Sequence, residues 1–160
     1  MKVIKLRSRK IISQNKNAGR NYFLEEKFQA GIKLFGTEVK SLRNSRCNIK
    51  DSFIKIKNDE AFIINMHVAE YKNGNIFNHE PLRTRKLLLH RSEINKLRKA
   101  TSLNGYSIIP VQIYFDGSFV KLDIALAKGK KIYDKRRDIA RKDLNRELQR
   151  DFKSRNLFIK

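Results

Sequence analysis

At 160 residues the chain has room for one domain plus a tail, and a fully folded chain of this length buries roughly 70% of its extended-chain surface. Its 37 Lys and Arg against 16 Asp and Glu leave a formal charge of +21, which points to a polyanionic partner. One cysteine, Cys47, excludes an internal disulfide framework and a four-cysteine zinc site, and no apolar run approaches the roughly 20 residues needed to span a bilayer.

The start, Met1-Lys2-Val3-Ile4-Lys5-Leu6-Arg7, lacks the unbroken apolar run of a signal peptide, so a cytoplasmic protein with no membrane partner is expected. Residues 1–20 carry seven basic residues and no acid, and residues 128–160 carry 13 basic against 5 acidic. Charge is therefore concentrated at the ends. This predicts a basic N-terminal extension (1–14), a globular body (15–132) and a basic tail (133–160).

Taken in chain order, Tyr22 to Leu34 reads as a long strand kinked at Gly31, and Glu38 to Arg43 as a short helix after Gly36. Ile54 and Ile56, then Phe62, Ile64, Met66 and Val68, recur with period 2 about the polar turn Lys57-Asn58-Asp59-Glu60, which predicts a hairpin. Arg83-Thr84-Arg85-Lys86 follows Pro81 and reads as an exposed basic loop. Lys86 to His90 either extends a strand or starts a helix. That helix has Ser92 as its N-cap, Ile94, Leu97 and Thr101 on one side, and Gly105 as its stop. A second hairpin pairs Val111, Ile113 and Phe115 with Val120, Leu122, Ile124 and Leu126 through Asp116-Gly117; Pro110 marks an edge or bulge. At least five strands with no βαβ rhythm predict a mainly β fold: a small antiparallel barrel with two or three short helices. In the tail, Ile139, Leu144, Leu148 and Phe152 are expected to form one narrow apolar stripe, too little to hold an isolated helix in water. Such a tail is expected to be disordered alone and helical when docked.

His67, His79 and His90 are scattered, and the chain has no Gly-rich phosphate loop of P-loop length, so neither metal nor cofactor is expected. The acidic pairs Glu25-Glu26 and Asp59-Glu60 read as solvated surface. A metal-dependent nuclease would need Glu38, Asp51 and Asp123 to converge. The string from Lys128 to Arg137 interleaves cations with Tyr133, which suits phosphate pairing plus base stacking. Tyr22, Tyr71, Phe77 and Tyr133 are the candidate stacking side chains. Without a helix-turn-helix, zinc finger or leucine zipper, RNA is the expected partner ahead of DNA. Residue chemistry alone thus reaches a basic RNA-binding barrel with a basic tail. A ribosomal protein or general RNA chaperone is the alternative.

Several strings then converge. Asn21-Tyr22-Phe23-Leu24-Glu25-Glu26 leads to Ala30-Gly31-Ile32, followed by Gly36-Thr37-Glu38-Val39-Lys40-Ser41-Leu42-Arg43, Asn48 and Asp51-Ser52. Pro81, Arg83 and Arg85-Lys86-Leu87-Leu88-Leu89-His90 come next, and then Gly129-Lys130-Lys131-Ile132-Tyr133-Asp134-Lys135-Arg136. In order and spacing, from about Asn15 to Arg137, they resemble the SsrA-binding protein (small protein B) family.

The resemblance implies a β-barrel of oligonucleotide-binding type that binds transfer-messenger RNA. It also implies delivery of that RNA, charged and carried by elongation factor Tu, to the decoding centre and empty message channel of stalled 70S ribosomes, as a monomer that catalyses nothing. Carried over residue by residue, the RNA-facing set is Glu38, Lys40, Arg43, Leu88, His90, Lys128, Lys130 and Lys131, to which residue chemistry adds Tyr22, Arg83, Arg85 and Lys86. Glu38 is expected to accept from ribose or base donors, or else to orient Lys40 and Arg43. Tyr133, Asp134, Lys135 and Arg136 are the expected ribosome-facing set. Gln29, His90 and the apolar Phe158-Ile159 depart from commoner family residues.

Overall fold

The structure, a computed structural model, describes residues 9–157. The basic residues at positions 2, 5 and 7 and the apolar end at Phe158 and Ile159 therefore lie outside the described residues. In chain order the elements are β1 (Arg9–Gln14), α1 (Ala18–Asn21), β2 (Tyr22–Ile32), α2 (Gly36–Arg43), β3 (Cys47–Asn48), β4 (Phe53–Lys57), β5 (Glu60–Ile64) and β6 (His67–Val68). A 3-10 turn at Asn75–Phe77 follows, then β7 (Arg85–Leu88), α3 (Arg91–Asn104), β8 (Ser107–Asp116), β9 (Phe119–Gly129) and α4 (Ile132–Leu157). The architecture is mainly β, with helices α2, α3 and α4 as the longer ones.

All pairings in the main sheet are antiparallel. β8 pairs with β9, β9 with β2, β2 with β7, β7 with β5, β5 with β4, and β4 returns to β8 through Ile54 and Ile108. The ladder is thus a circuit, with β1 added alongside β8. β1 lies within the segment expected to be an extension, and its residues from Arg9 to Gln14 pair with β8. A second, small sheet joins β3 to β6.

The buried faces meet inside this circuit: Ile63, Leu87, Ile113, Leu122 and Ile124 are fully buried, with Leu42 from α2 and Leu97 from α3 closing over them. Burial of this kind, at about 25 cal/mol per Å² of apolar surface, is the main source of stability. Leu122→Ala at the centre of β9 is expected to lower the unfolding free energy by about 2–5 kcal/mol in urea titration. A loss under about 1 kcal/mol would mean that the site can collapse or lies outside the core.

Four local expectations are corrected. β2 ends at Ile32, and its irregularity lies between Leu24 and Lys27 rather than at Gly31. Gly31 instead allows close approach: a Cβ there would stand 3.3 Å from Leu88 Cβ on the paired strand β7. In the first hairpin Ala61 and Ile63 face inward, not Phe62 and Ile64. Asn65 then adopts φ 59° and resets the alternation, so that Met66 and Val68 are buried. The second hairpin turns on Gly117-Ser118, because Asp116 is still paired with Phe119, and Gly117 takes φ 63°. α3 starts at Arg91, with His90 as its N-cap; the His90 N–H donates to Glu93 Oε2 at 2.9 Å.

Other expectations hold. Gly105 stops α3 in the left-handed region, and the β8–β9 register shifts between Pro110 and Gln112, a bulge at the proline. Residues 85–88 are strand, which resolves the alternative left open for 86–90.

Candidate nucleic-acid interface

The site is built on a buried ionic knot. Glu38, on the first turn of α2, is 5% exposed and faces Arg83 and Arg85. Arg83 Nε donates to Glu38 Oε1 at 2.8 Å and its Nη2 donates to Oε2. Arg85 Nε donates to the same Oε1 at 2.9 Å. Arg85 is 0% exposed, and its remaining N–H groups reach Met66 O at 2.7 Å, Arg83 O at 2.9 Å and Pro81 O at 3.0 Å. The Phe35 N–H completes the knot by donating to Glu38 Oε2 at 2.9 Å. Burial alone would raise the Glu38 carboxyl; the Arg83 bond, the Phe35 N–H and Arg85 outweigh it and hold the carboxyl below its ordinary value. Burial likewise pulls Arg85 down, against the opposing pull of Glu38.

This knot corrects two expectations. The Glu38 carboxylate is turned into the protein, and the cations it bonds are Arg83 and Arg85 rather than Lys40 and Arg43. Arg85 is an internal strut rather than part of an exposed basic loop, because every donor on its guanidinium is already engaged.

Above the knot lies an aromatic groove of about 470 Å³, lined by Phe35, Lys40, Tyr71, Ile76, Phe77 and His79 among others. Asn78 shapes it: its side-chain amide accepts from the Tyr71 N–H at 3.0 Å and donates to Tyr71 O at 2.9 Å, closing the loop on itself. Any side chain at Gly74 would collide with that amide. Thr37 Oγ1 donates to Phe77 O at 3.2 Å, which ties the loop to α2. Phe35 stacks on His79 with ring centroids 3.9 Å apart, and the Arg83 guanidinium lies 4.5 Å from the Phe35 centroid. Lys40 Nζ stands 5.4 Å from the Tyr71 centroid. Phe77 is 72% exposed and Ile76 88% exposed. Sequence reasoning named Lys40, Tyr71 and Phe77 here but missed Phe35, His79 and Asn78. The signal was an Asn- and Gly-rich loop bracketed by Tyr71 and His79.

The other predicted residues are distributed around the body. Leu88 is exposed on β7 while Leu87 is buried, so the leucine run alternates in and out, and Leu88 is not core. Lys86 pairs with Glu60 on the surface, and exposed His90 caps α3. Arg43 lines a separate depression with Lys10, Phe115, Gly117 and Ser118. Tyr22 is half-buried and packs against Ala18, Ile109 and Ala127. Lys128 and Lys131 are exposed where β9 gives way to α4, followed by exposed Tyr133 with Arg137 5.7 Å from its ring centroid. Asp134 and Lys135 are half-buried and Arg136 is exposed. Lys130, expected among the RNA contacts, points inward: its side chain is 8% exposed and pairs with Asp138.

The acids of a nuclease are accounted for differently. Glu38 sits in the knot, and Asp123 accepts from Gln112 Nε2 at 2.8 Å and the Tyr114 hydroxyl at 3.0 Å. Among the described residues no group of three or more His, Cys, Asp or Glu is arranged to hold a metal. Glu25, Glu26, Asp59 and Glu60 are not simply solvated: each pairs with a cation or a hydroxyl, and Asp59 ties the β4–β5 turn to Arg91 and Arg98 of α3. Burial pushes the Cys47 thiol up to about 12, so it stays protonated at neutral pH. Among the described residues no helix is long and apolar enough to cross a membrane.

Comparison with known proteins agrees with this arrangement. The family model described as SmpB protein matches residues 12–154. A curated SsrA-binding protein of Caldanaerobacter subterraneus subsp. tengcongensis is 54% identical over 150 residues, covering 94% of this chain and 95% of the relative. The SsrA-binding protein of Bacillus subtilis is 54% identical over 146 residues, covering 91% and 94%. A solved chain described as "tmRNA-SmpB: a journey to the center of the bacterial ribosome" superposes with a TM-score of 0.63 at 37% identity, over 75% of this chain and 85% of its own. On a match that runs from β1 to within a few residues of the end of α4, the chain belongs to the SmpB protein family.

Proposed function

We propose that this protein binds the tRNA-like part of transfer-messenger RNA and brings it to stalled bacterial ribosomes for trans-translation, acting by binding rather than by catalysis. One observation carries the reading. No acid is among the residues that line the aromatic groove, and Glu38 next to it is held in the Glu38–Arg83–Arg85 knot, so the lining offers RNA the Lys40 cation and exposed π-faces. Lys40 would take phosphate, and Tyr71 and Phe77 would take unstacked bases; Leu88 and His90 would add contacts from β7 and the start of α3. The six-strand circuit supports reading the fold as a small barrel of oligonucleotide-binding type.

The tail, residues 133–160, belongs to the ribosome in this proposal. Tyr133 to Arg136 would face the decoding centre and α4 the empty message channel, with the RNA arriving charged on elongation factor Tu. The protein would act as a monomer in the cytoplasm. If the groove and the β9–α4 junction are the contact, Lys40→Met and Lys131→Met should each lower the slope of log affinity against log salt by roughly one unit. Filter binding of the labelled tRNA-like domain measures this. Unchanged slopes in both variants would move the RNA to another face.

A further inference from the structure

Three basic positions, Lys128, Lys130 and Lys131, cluster where β9 becomes α4, and one of them behaves unlike the rest. Lys128 and Lys131 are exposed, whereas the Lys130 ammonium is enclosed by three different elements. It donates to Gly19 O in α1 at 2.9 Å, pairs with Asp138 on the second turn of α4, and lies 4.8 Å from the Phe23 ring centroid at the start of β2. Its own N–H donates to Asn21 O at 2.9 Å, so the backbone is pinned at the same point. A narrow cleft lined by Phe23, Asp134, Arg137, Asp138 and Ala140 marks where α4 lies along the body. From Ile139 to Ser154 the helix residues are all exposed.

We infer that Lys130 is a latch that sets the direction in which α4 leaves the body, and is a positioning residue for the tail rather than an RNA contact. The value of such a latch to the tail's placement rests on the proposed ribosomal role. α4 has 26 residues and is roughly 39 Å long, and from Ile139 to Ser154 all of its residues are exposed. It is therefore a lever, and a 20° swing about Asp138 would carry its far end through roughly 10 Å. Lys130 suits this task chemically. Three ammonium donors satisfy one carbonyl, one carboxylate and one ring face, and a phosphate could reach the ammonium only by displacing Asp138. Asp138 in turn is held below its ordinary range, chiefly by the Lys130 bond.

The test uses the full chain with Cys47→Ser and spin labels at Ser118 and Gln149, both exposed. Pulsed electron–electron distance measurement should give one narrow distribution for the native pair. Lys130→Met should broaden it, and so should Asp138→Ala, which leaves Lys130 in place. The exchange Lys130→Glu with Asp138→Lys should narrow it again. Affinity of Lys130→Met for the tRNA-like domain should stay within about twofold, while tagging on stalled ribosomes falls about tenfold. A distribution already broad in the native chain, or one that Lys130→Met leaves narrow, overturns the latch. So does RNA affinity that falls in Lys130→Met as far as in Lys131→Met. If no variant, nor the native chain, binds the RNA while the distances still respond to Lys130, the functional reading fails and the latch stands.

Discussion

Glu38→Ala is expected to destabilise the fold by about 3–5 kcal/mol, because it removes one partner of a buried ion pair. The reason is the charge left behind. Arg85 is 0% exposed, and without the carboxylate its guanidinium would be buried with only carbonyl partners. Arg83 would lose both of its bonds to α2, and the Phe35 N–H would lose its acceptor. Glu38→Gln keeps one acceptor and should lose less. Urea unfolding reads the stability, and RNA affinity measured well below the transition reads the interface. Native-like stability with lost affinity would show instead that the carboxylate meets RNA directly.

The same carboxyl gives a pH signature. Its folded-state pKa lies below the unfolded one, so the stability it contributes is complete above the ordinary carboxylate range near pH 4.3 and is lost as pH falls through the lower native value. Acid unfolding of Glu38→Gln should therefore be shallower than that of the native chain.

The second large effect concerns the tail. Truncation after Lys131 removes α4, which contributes no residue to the buried core, so the body should keep its cooperative unfolding. Affinity for the tRNA-like domain should stay within about threefold, under 1 kcal/mol. Tagging of stalled peptides should drop by at least about 100-fold, roughly 2.7 kcal/mol. α4 carries a stripe that is exposed among the described residues: Leu144, Leu148 and Phe152 recur at four-residue steps and are 56%, 47% and 67% exposed. Ile139 does not join them, because five residues of helix turn it about 140° away from Leu144. The docking face is thus shorter than the spacing of apolar residues first indicates. Retained tagging by the truncated chain would show that the tail is dispensable.

How much of this was visible in the chain depends on the range of the interaction. Period-2 alternation and turn residues disclosed both hairpins, and Gly105 disclosed the end of α3, because those signals lie within a few residues of their effects. Asn65 hid the face of β5, since one left-handed residue reverses the phase without altering composition. The burial of Arg85 was out of reach for a different reason. Arg83-Thr84-Arg85-Lys86 looks like a solvated loop until Glu38, 47 residues earlier, is brought against it. Lys130 stands in a row of cations in the sequence, yet its carboxylate partner Asp138 lies eight residues on in a helix. Resemblance carried the family across those gaps, but it carried residue types, not the directions in which they point.

A competition assay at near-physiological salt tests the central claim most directly. Labelled tRNA-like domain of transfer-messenger RNA, bound to the full chain, is challenged with unlabelled cognate RNA, ordinary tRNA and duplex RNA. Shape-specific recognition predicts efficient displacement by the cognate RNA alone. Equal displacement by all three would mean that the +21 charge accounts for the binding, and the protein would then be a general RNA-binding factor.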